Sequence, residues 1–320
     1  MDTVAAPHPS APTLADYVGH SPFSDPGPYA GLLVALGTDP SALRRAATRA
    51  ILHYRAQAER LTPEQMPDID ARYVREILHR AADRDPGPLD ASRPDTCAVA
   101  GCCRDRALLA VAALREGGVP ARSRLGFTGA FAGGYRYGHV VAERWDGSRW
   151  VRFDPGLDPA GSSFDVDDLP TGEGAPFETA AEVWLAYRAG RDDLSSTGVS
   201  PELPELGGSS IVQRYVLADV AHRHRCETIL WDAWGAMVPP GAEPDDGQLA
   251  LTDELARLTM AADGDPDPTG RAATALAALW AGDPRVNPAG RVLSFVPLEP
   301  GLVPRVVGLP TAVQRRPEPR

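Results

Sequence analysis

An Ala- and Leu-rich run framed by glycines, residues 101–118, is the tightest constraint on what this chain can fold into. Gly101-Cys102-Cys103-Arg104-Asp105 breaks a Pro/Asp-rich loop, and residues 106–116 then read as a helix that stops at Gly117-Gly118. Residues 138–144 read as a strand, Asp146-Gly147 as a two-residue hairpin turn, and residues 149–154 as the returning strand. A helix followed by an antiparallel pair predicts an α+β fold in which that helix packs on the sheet.

Cys103 falls at the helix N-terminus. Free backbone N–H groups and the positive end of the helix dipole favour a thiolate there, and the same N–H groups can hold an oxyanion. Helical phase places Cys103, Ala107, Ala110, Val111 and Leu114 on one small apolar face, whereas Cys102 shares a face with Arg106. Taken singly, a cysteine at an apolar helix start is more often a small buried hydrophobe than a nucleophile. The hairpin changes that balance.

With a two-residue turn, Trp145 pairs with Ser148 and His139 stands opposite Asp154. A four-residue loop makes the two diagonal neighbours on the same face; a three-residue loop puts them on opposite faces. Val140, Ala142, Val151 and Phe153 are expected on the core side, with Val141 and Trp150 beside His139 and Asp154. Asp154 would then fix one imidazole nitrogen of His139 and leave the other to take the proton of Cys103.

These residues carry a family resemblance. The stretches 101–109, 113–122 with its Gly-Val-Pro-Ala-Arg, 138–141 and 147–155 resemble the nucleophile helix, the strand entry after it, the histidine strand and the aspartate strand of the transglutaminase-like superfamily. The resemblance covers about residues 96–160. It implies a papain-like core, a catalytic triad of Cys103, His139 and Asp154, and an acyl-enzyme intermediate; no cofactor or metal is expected. Acyl transfer or hydrolysis at an amide or thioester follows, with an amidase or protease-like hydrolase placed ahead of amide synthesis from a carrier-bound thioester. A peptide, an amide or an acyl thioester is the implied substrate, and a carrier protein is a candidate partner. The alternative of a different class is a peptide- or partner-binding module without chemistry. Val141 departs from the aromatic residue common two positions after the family's histidine. No Trp precedes Cys103 as an oxyanion donor, which leaves Tyr73 as the aromatic candidate.

Composition bounds the rest. Lys and Arg together number 32, all of them Arg, and the net charge of −11 supplies no basic field for a phosphate backbone, so nucleic acid is not an expected partner. The four cysteines, at 97, 102, 103 and 226, have no paired metal spacing. Residues 1–17 lack the basic start and apolar run of a signal peptide, and no apolar stretch is long enough for a membrane span, so a reducing cytoplasm is expected and external protein cross-linking is disfavoured. The expected organisation is a Pro-rich, mobile terminus at 1–26, a catalytic domain with N-terminal helices at 27–205, and a helical extension at 206–320 with a disordered tail from Arg315. Helices are expected at 29–36, 40–61, 68–85, 179–190, 211–236, 251–262 and 269–281, a hinge at 201–210, and a last short strand at 291–296. Aromatic residues in the late helices, Tyr215, Trp231 and Trp234, read as packing.

Overall fold

A computed structural model describes residues 10–131, 133–265, 267, 269–298 and 303–310. Of the terminus expected to be mobile, 1–26, residues 1–9 lie outside them, as does the tail from Arg315; residues 10–26 are described and include a capped helix, Leu14–Val18. The N-terminal part carries α1 (Leu14–Val18), α2 (Ala30–Val34), α3 (Pro40–Ala50) and α4 (Val74–Arg84), with a short parallel pair, β1 (Ile51–His53) and β2 (Val99–Gly101). Then come α5 (Cys103–Glu116) and the antiparallel strands β3 (Ala121–Thr128), β4 (Arg136–Trp145) and β5 (Trp150–Phe153). β6 (Phe177–Thr179) and α6 (Ala180–Arg188) follow, and β7 (Thr197–Gly198) adds to β4 in parallel. The C-terminal part holds α7 (Gly208–Arg223), β8 (Asp232–Ala233), α8 (Asp246–Asp263), α9 (Arg271–Gly282), β9 (Arg291–Ser294) and β10 (Arg305–Gly308), with the last two strands and β8 in a three-stranded sheet. The fold is α+β, as the sequence implies: the Cys103 helix packs on an antiparallel sheet of order β5-β4-β3-β6, between helical flanks.

α5 is not amphipathic. Every residue from Cys103 to Arg115 is buried, because α1 to α4 cover one side and β3 and β4 the other. A helix apolar all round is a core helix, so the face that separates Cys103 from Cys102 in the sequence has no counterpart in burial. The charged side chains inside this shell are held by specific partners. Arg104 donates to Asp105 Oδ1 at 2.9 Å, to Arg72 O at 2.6 Å and to Glu227 O. Arg115, fully buried, donates to Ala121 O, to Ser24 Oγ at 2.8 Å and to Glu227 Oε1 at 2.9 Å. Segments from both ends of the chain are thus fastened to one helix.

Three of the expected helices are shorter than their patterns. The run 68–85 holds the end of a 3-10 turn, Pro63–Asp70, and becomes α-helical only at Val74. The run 40–61 leaves helical geometry at Ile51, whose φ of −128° and ψ of 114° begin β1. Pairing of Ile51 to His53 with Val99 to Gly101 outweighs the local helix preference. The run 211–236 stops at Arg223, because Arg225 takes a φ of +62° and the Cys226 N–H closes back on Ala221 O. The hinge expected at 201–210 holds a 3-10 turn, Pro204–Leu206, and the start of α7, which packs on β3.

The hairpin differs as well. Trp145 pairs with Trp150, so the loop is residues 146–149 and not Asp146-Gly147 alone. Asp146 sets that length: its Oδ1 accepts from the Ser148 N–H at 2.7 Å and the Arg149 N–H at 2.8 Å, an Asx turn that the Asp-Gly pattern does not distinguish from a tighter one. The last ladder pair is Ala142 with Phe153, so Asp154 follows one step past it, and alternation sets it on the face of His139.

The buried Arg115–Glu227 pair makes the fastening testable. Glu227→Gln leaves a buried guanidinium without its counter-charge and is expected to cost about 3–5 kcal/mol in urea unfolding, while Arg115→Met with Glu227→Leu together should cost less than the single change. A single-variant loss below about 1 kcal/mol would show that the pair does not hold the two segments together.

Candidate active site

The site is assembled by three backbone devices. The first is the junction of β2 and α5. Gly101 lies so close to its neighbours that a Cβ there would sit 2.7 Å from Ile51 Cγ2 and 2.8 Å from Asp105 Oδ2. Cys102 follows as the helix N-cap in extended geometry, its N–H held by Asp105 Oδ2 at 2.8 Å. Cys103 is then the first helical residue. Its N–H is among the four helix-start donors with no acceptor inside the helix.

The second device is the β3–β4–β5 sheet. Gly126 pairs with His139, and β5 ends at Phe153, where the chain turns off as the Asp154 N–H bonds to Val166 O. His139 Nε2 and Asp154 Oδ2 are 2.6 Å apart, both buried, and Asp154 Oδ1 accepts from the Gly156 N–H at 2.7 Å. The carboxylate is thereby fixed at both oxygens, which leaves Nδ1 of His139 for the cysteine. Phe131 and Phe177 lie edge-on to the imidazole, with ring centroids at 5.8 and 6.4 Å.

The third device is β1, which sequence reasoning placed inside a helix. Register sets His53 beside Gly101, two residues before Cys103. His53 Nδ1 accepts from the N–H groups of Arg55 at 3.3 Å and Ala56 at 3.2 Å, so the ring proton sits on Nε2 and is donated to Cys103. Gln57 Oε1 accepts from the His53 N–H at 2.9 Å and from Arg106 Nη2 at 2.8 Å, which points its amide nitrogen elsewhere.

Electrostatics separate the adjacent thiols. Cys103 is pulled well below the ordinary thiol value, first by the hydrogen bond from the Cys102 thiol and, against burial, by the charge and hydrogen bond of His139 and the hydrogen bond of His53. Cys102 is pushed well up, because its proton is held by the Cys103 sulfur and because it is buried. Burial alone would lower His139, yet the charges of Asp154 and Cys103 raise it to about 10. These opposite shifts favour a thiolate–imidazolium pair over a neutral one. Cys226, by contrast, is pushed up chiefly by burial.

The pair opens on a cleft of about 680 Å³. Its walls bring in residues far away in sequence: Tyr54, Tyr137, Tyr215, Leu230, Trp231 and Phe295. Tyr215 lies against Gly138, where a Cβ would come within 2.5 Å of the phenol oxygen, and burial together with the nearby thiols keeps that phenol protonated. Trp231 donates to Tyr54 Oη at 2.9 Å.

Cys103, His139 and Asp154 are thus brought together, while Tyr73 is not at the site; it caps α4, packs on Phe23 at 5.5 Å and carries Arg75 over its ring. His53, Gln57, Tyr215 and Trp231 are among the lining residues that sequence reasoning missed as site residues. A signal for His53 exists in Ile51-Leu52, a β-prone pair after an Ala-rich helix. No comparable signal marks the late aromatics.

Residues 54–155 match the family described as the transglutaminase-like superfamily. No curated protein matches. Among solved structures, the chain is similar to the "Putative Cysteine Protease from Cytophaga hutchinsonii", with 16% identity over 43% of this chain and 40% of that one, at a TM-score of 0.29. A likeness that slight carries no weight beside the geometry. No described helix is long and apolar enough to cross a membrane.

Iodoacetamide labelling mapped by mass spectrometry tests the assignment of the thiolate. Cys103 is expected to react at a pH well below the ordinary thiol range, ahead of Cys102 and Cys226, and Cys102→Ala to shift the Cys103 midpoint upward by removing its hydrogen-bond donor. Labelling of Cys102 before Cys103 would reverse the assignment.

Proposed function

We propose, from the premise that residues 54–155 form a transglutaminase-like core, that the protein is a cysteine-dependent acyl-transfer enzyme that hydrolyses an amide or thioester. The observation that supports this best is one constellation: a depressed thiol at a helix N-terminus facing a histidine that a carboxylate holds protonated, at the wall of a cleft.

In this reading the Cys103 thiolate attacks the substrate carbonyl carbon. The oxyanion of the tetrahedral intermediate is met by the Cys103 N–H and by Nε2–H of His53, which is already aimed at the sulfur. The carbon–leaving-group bond breaks as His139 Nδ1 gives its proton to the departing amine or thiol, which leaves an acyl thioester on Cys103. Water then loses a proton to His139, attacks the thioester carbonyl, and releases a carboxylic acid and the thiolate. Asp154 keeps the ring orientation through both halves. The cleft's aromatic and aliphatic walls would exclude bulk water and favour a substrate with an apolar body.

The experiment is incubation with acyl thioesters and with peptide amides, with and without an added amine. Hydrolysis in water alone, lost in Cys103→Ala, is expected; product that requires an amine would move the reading to amide synthesis, and no acyl-enzyme in any mixture would sink it. Catalysis needs the Cys103 thiolate and the His139 proton together. kcat/KM should therefore rise as pH climbs through the lowered Cys103 value and fall as it passes about 10, where His139 deprotonates. Asp154→Asn is expected to bring that alkaline limb toward the ordinary histidine range and to slow turnover about 10²-fold or more. An alkaline limb unmoved in Asp154→Asn would detach the carboxylate from the histidine's charge.

A further inference from the structure

One charged wall of the cleft has no role in the chemistry above. Arg214, on α7 beside Tyr215, is 7% exposed and lines the cleft together with Leu230, Trp231, Pro240 and Phe295. Among the described residues it has no carboxylate within ion-pair distance, and its hydrogen bond is a long one, Nη1 to Val238 O at 3.4 Å. Buried arginines elsewhere are paired: Arg72 with Asp232, Arg104 with Asp105, Arg115 with Glu227, Arg124 with Asp219. Arg106, which also lacks a carboxylate, is held by Ile51 O and Gln57 Oε1. The acidic group that Arg214 feels through space, Asp232, holds Arg72 Nη2 on Oδ1 at 2.8 Å, while its Oδ2 has no hydrogen-bond partner among the described residues.

A buried guanidinium offers five N–H donors in a fixed plane and is costly to desolvate without a counter-charge. The rest of the cleft sharpens the mismatch. Among the described residues, Arg55, Arg106 and Arg214 stand in its wall with one carboxylate, Glu202, exposed at the rim, and Arg106 also feels the charge of Asp154. The whole chain carries a net charge of −11, so this positive lining runs against the general balance.

We infer that the substrate carries a carboxylate, borne on its apolar body, that docks on Arg214 while the scissile carbonyl meets Cys103. This rests on the acyl-transfer reading of Cys103 and names the substrate class of that site. The carboxylate can belong to the acyl group, as in a half-thioester of a dicarboxylic acid, or to the leaving group. In both cases it accepts two N–H bonds from the guanidinium and places the reacting carbonyl by its distance from that anchor.

Two arms of one assay separate the sources. The first compares monothiophenyl esters of succinic, glutaric, adipic and suberic acids with their methyl-capped, uncharged counterparts; the second compares hexanoyl thioesters of 4-mercaptobenzoate and of its methyl ester. Cys103 acylation is followed by mass spectrometry in the parent, Arg214→Gln and Arg214→Lys. A preference of about ten- to a hundredfold for the charged member is expected in one arm, greatest at one chain length, lost in Arg214→Gln and partly kept in Arg214→Lys. Because each preference is a ratio within one protein, a general loss of stability in a variant does not imitate it, and thermal unfolding checks the fold of both. Acylation by the neutral thioesters without any charge preference in the parent would overturn the anchor and leave acyl transfer standing. A preference retained in Arg214→Gln would likewise overturn it, and would be the result if Arg214 served Asp232 alone. No acylation by any thioester would remove the acyl-transfer reading and this one with it.

Discussion

Burial of α5 on every side is the constraint from which the rest of the structure follows. A helix covered by α1 to α4 on one flank and by β3 and β4 on the other makes an uncompensated charge costly, and Arg104 and Arg115 take acceptors inside the shell. They find them on segments drawn from both ends of the chain: Ser24 near the start, Arg72 before α4, and Glu227 after α7. The helical flanks are therefore part of the same packed unit as the sheet. They also supply the far wall of the cleft, since Tyr215, Trp231 and Phe295 all come from beyond residue 206.

The same burial sets the chemistry. Because α5 is held rigidly, its first N–H groups stand at a fixed place beside the cleft, and a charge there is stabilised without reorganisation. Two histidines then take opposite parts because of what their other nitrogen touches. His139 faces a carboxylate and keeps its proton; His53 faces backbone N–H groups, which only donate, and so presents Nε2–H toward the sulfur. Cys102 and Cys103, neighbours with nearly equal burial, are split by a single shared proton and by which of them meets the histidines. Residue type alone does not assign these roles; partners do.

The sequence makes legible the elements whose signals are local and strong. The Cys103 helix with its glycine stop, the β4–β5 hairpin and α6, α8 and α9 are all present close to where pattern places them. The common face of His139 and Asp154 is legible too, because period-two alternation survives a change of loop length by two residues. Long-range competition hides the rest. Ile51 to His53 follow a helical pattern and yet pair with a strand nearly fifty residues on, while residues 224–236 leave helical geometry to feed β8 and the cleft. In each case a tertiary hydrogen-bond ladder or turn outweighs a propensity worth only a few tenths of a kcal/mol per residue.

What the sequence determined by itself is the cysteine at a helix start and the histidine and acid that share one strand-pair face, since helix capping and strand alternation are rules about near neighbours. Only the tertiary structure decided which groups surround that cysteine. His53 arrives through a parallel strand pairing, and Tyr215 and Arg214 through α7, a helix laid on β3. The physical reason is that each of these contacts joins segments from nearly fifty to more than a hundred residues apart, and no local preference encodes a meeting at that distance; burying the apolar faces of the whole chain together does.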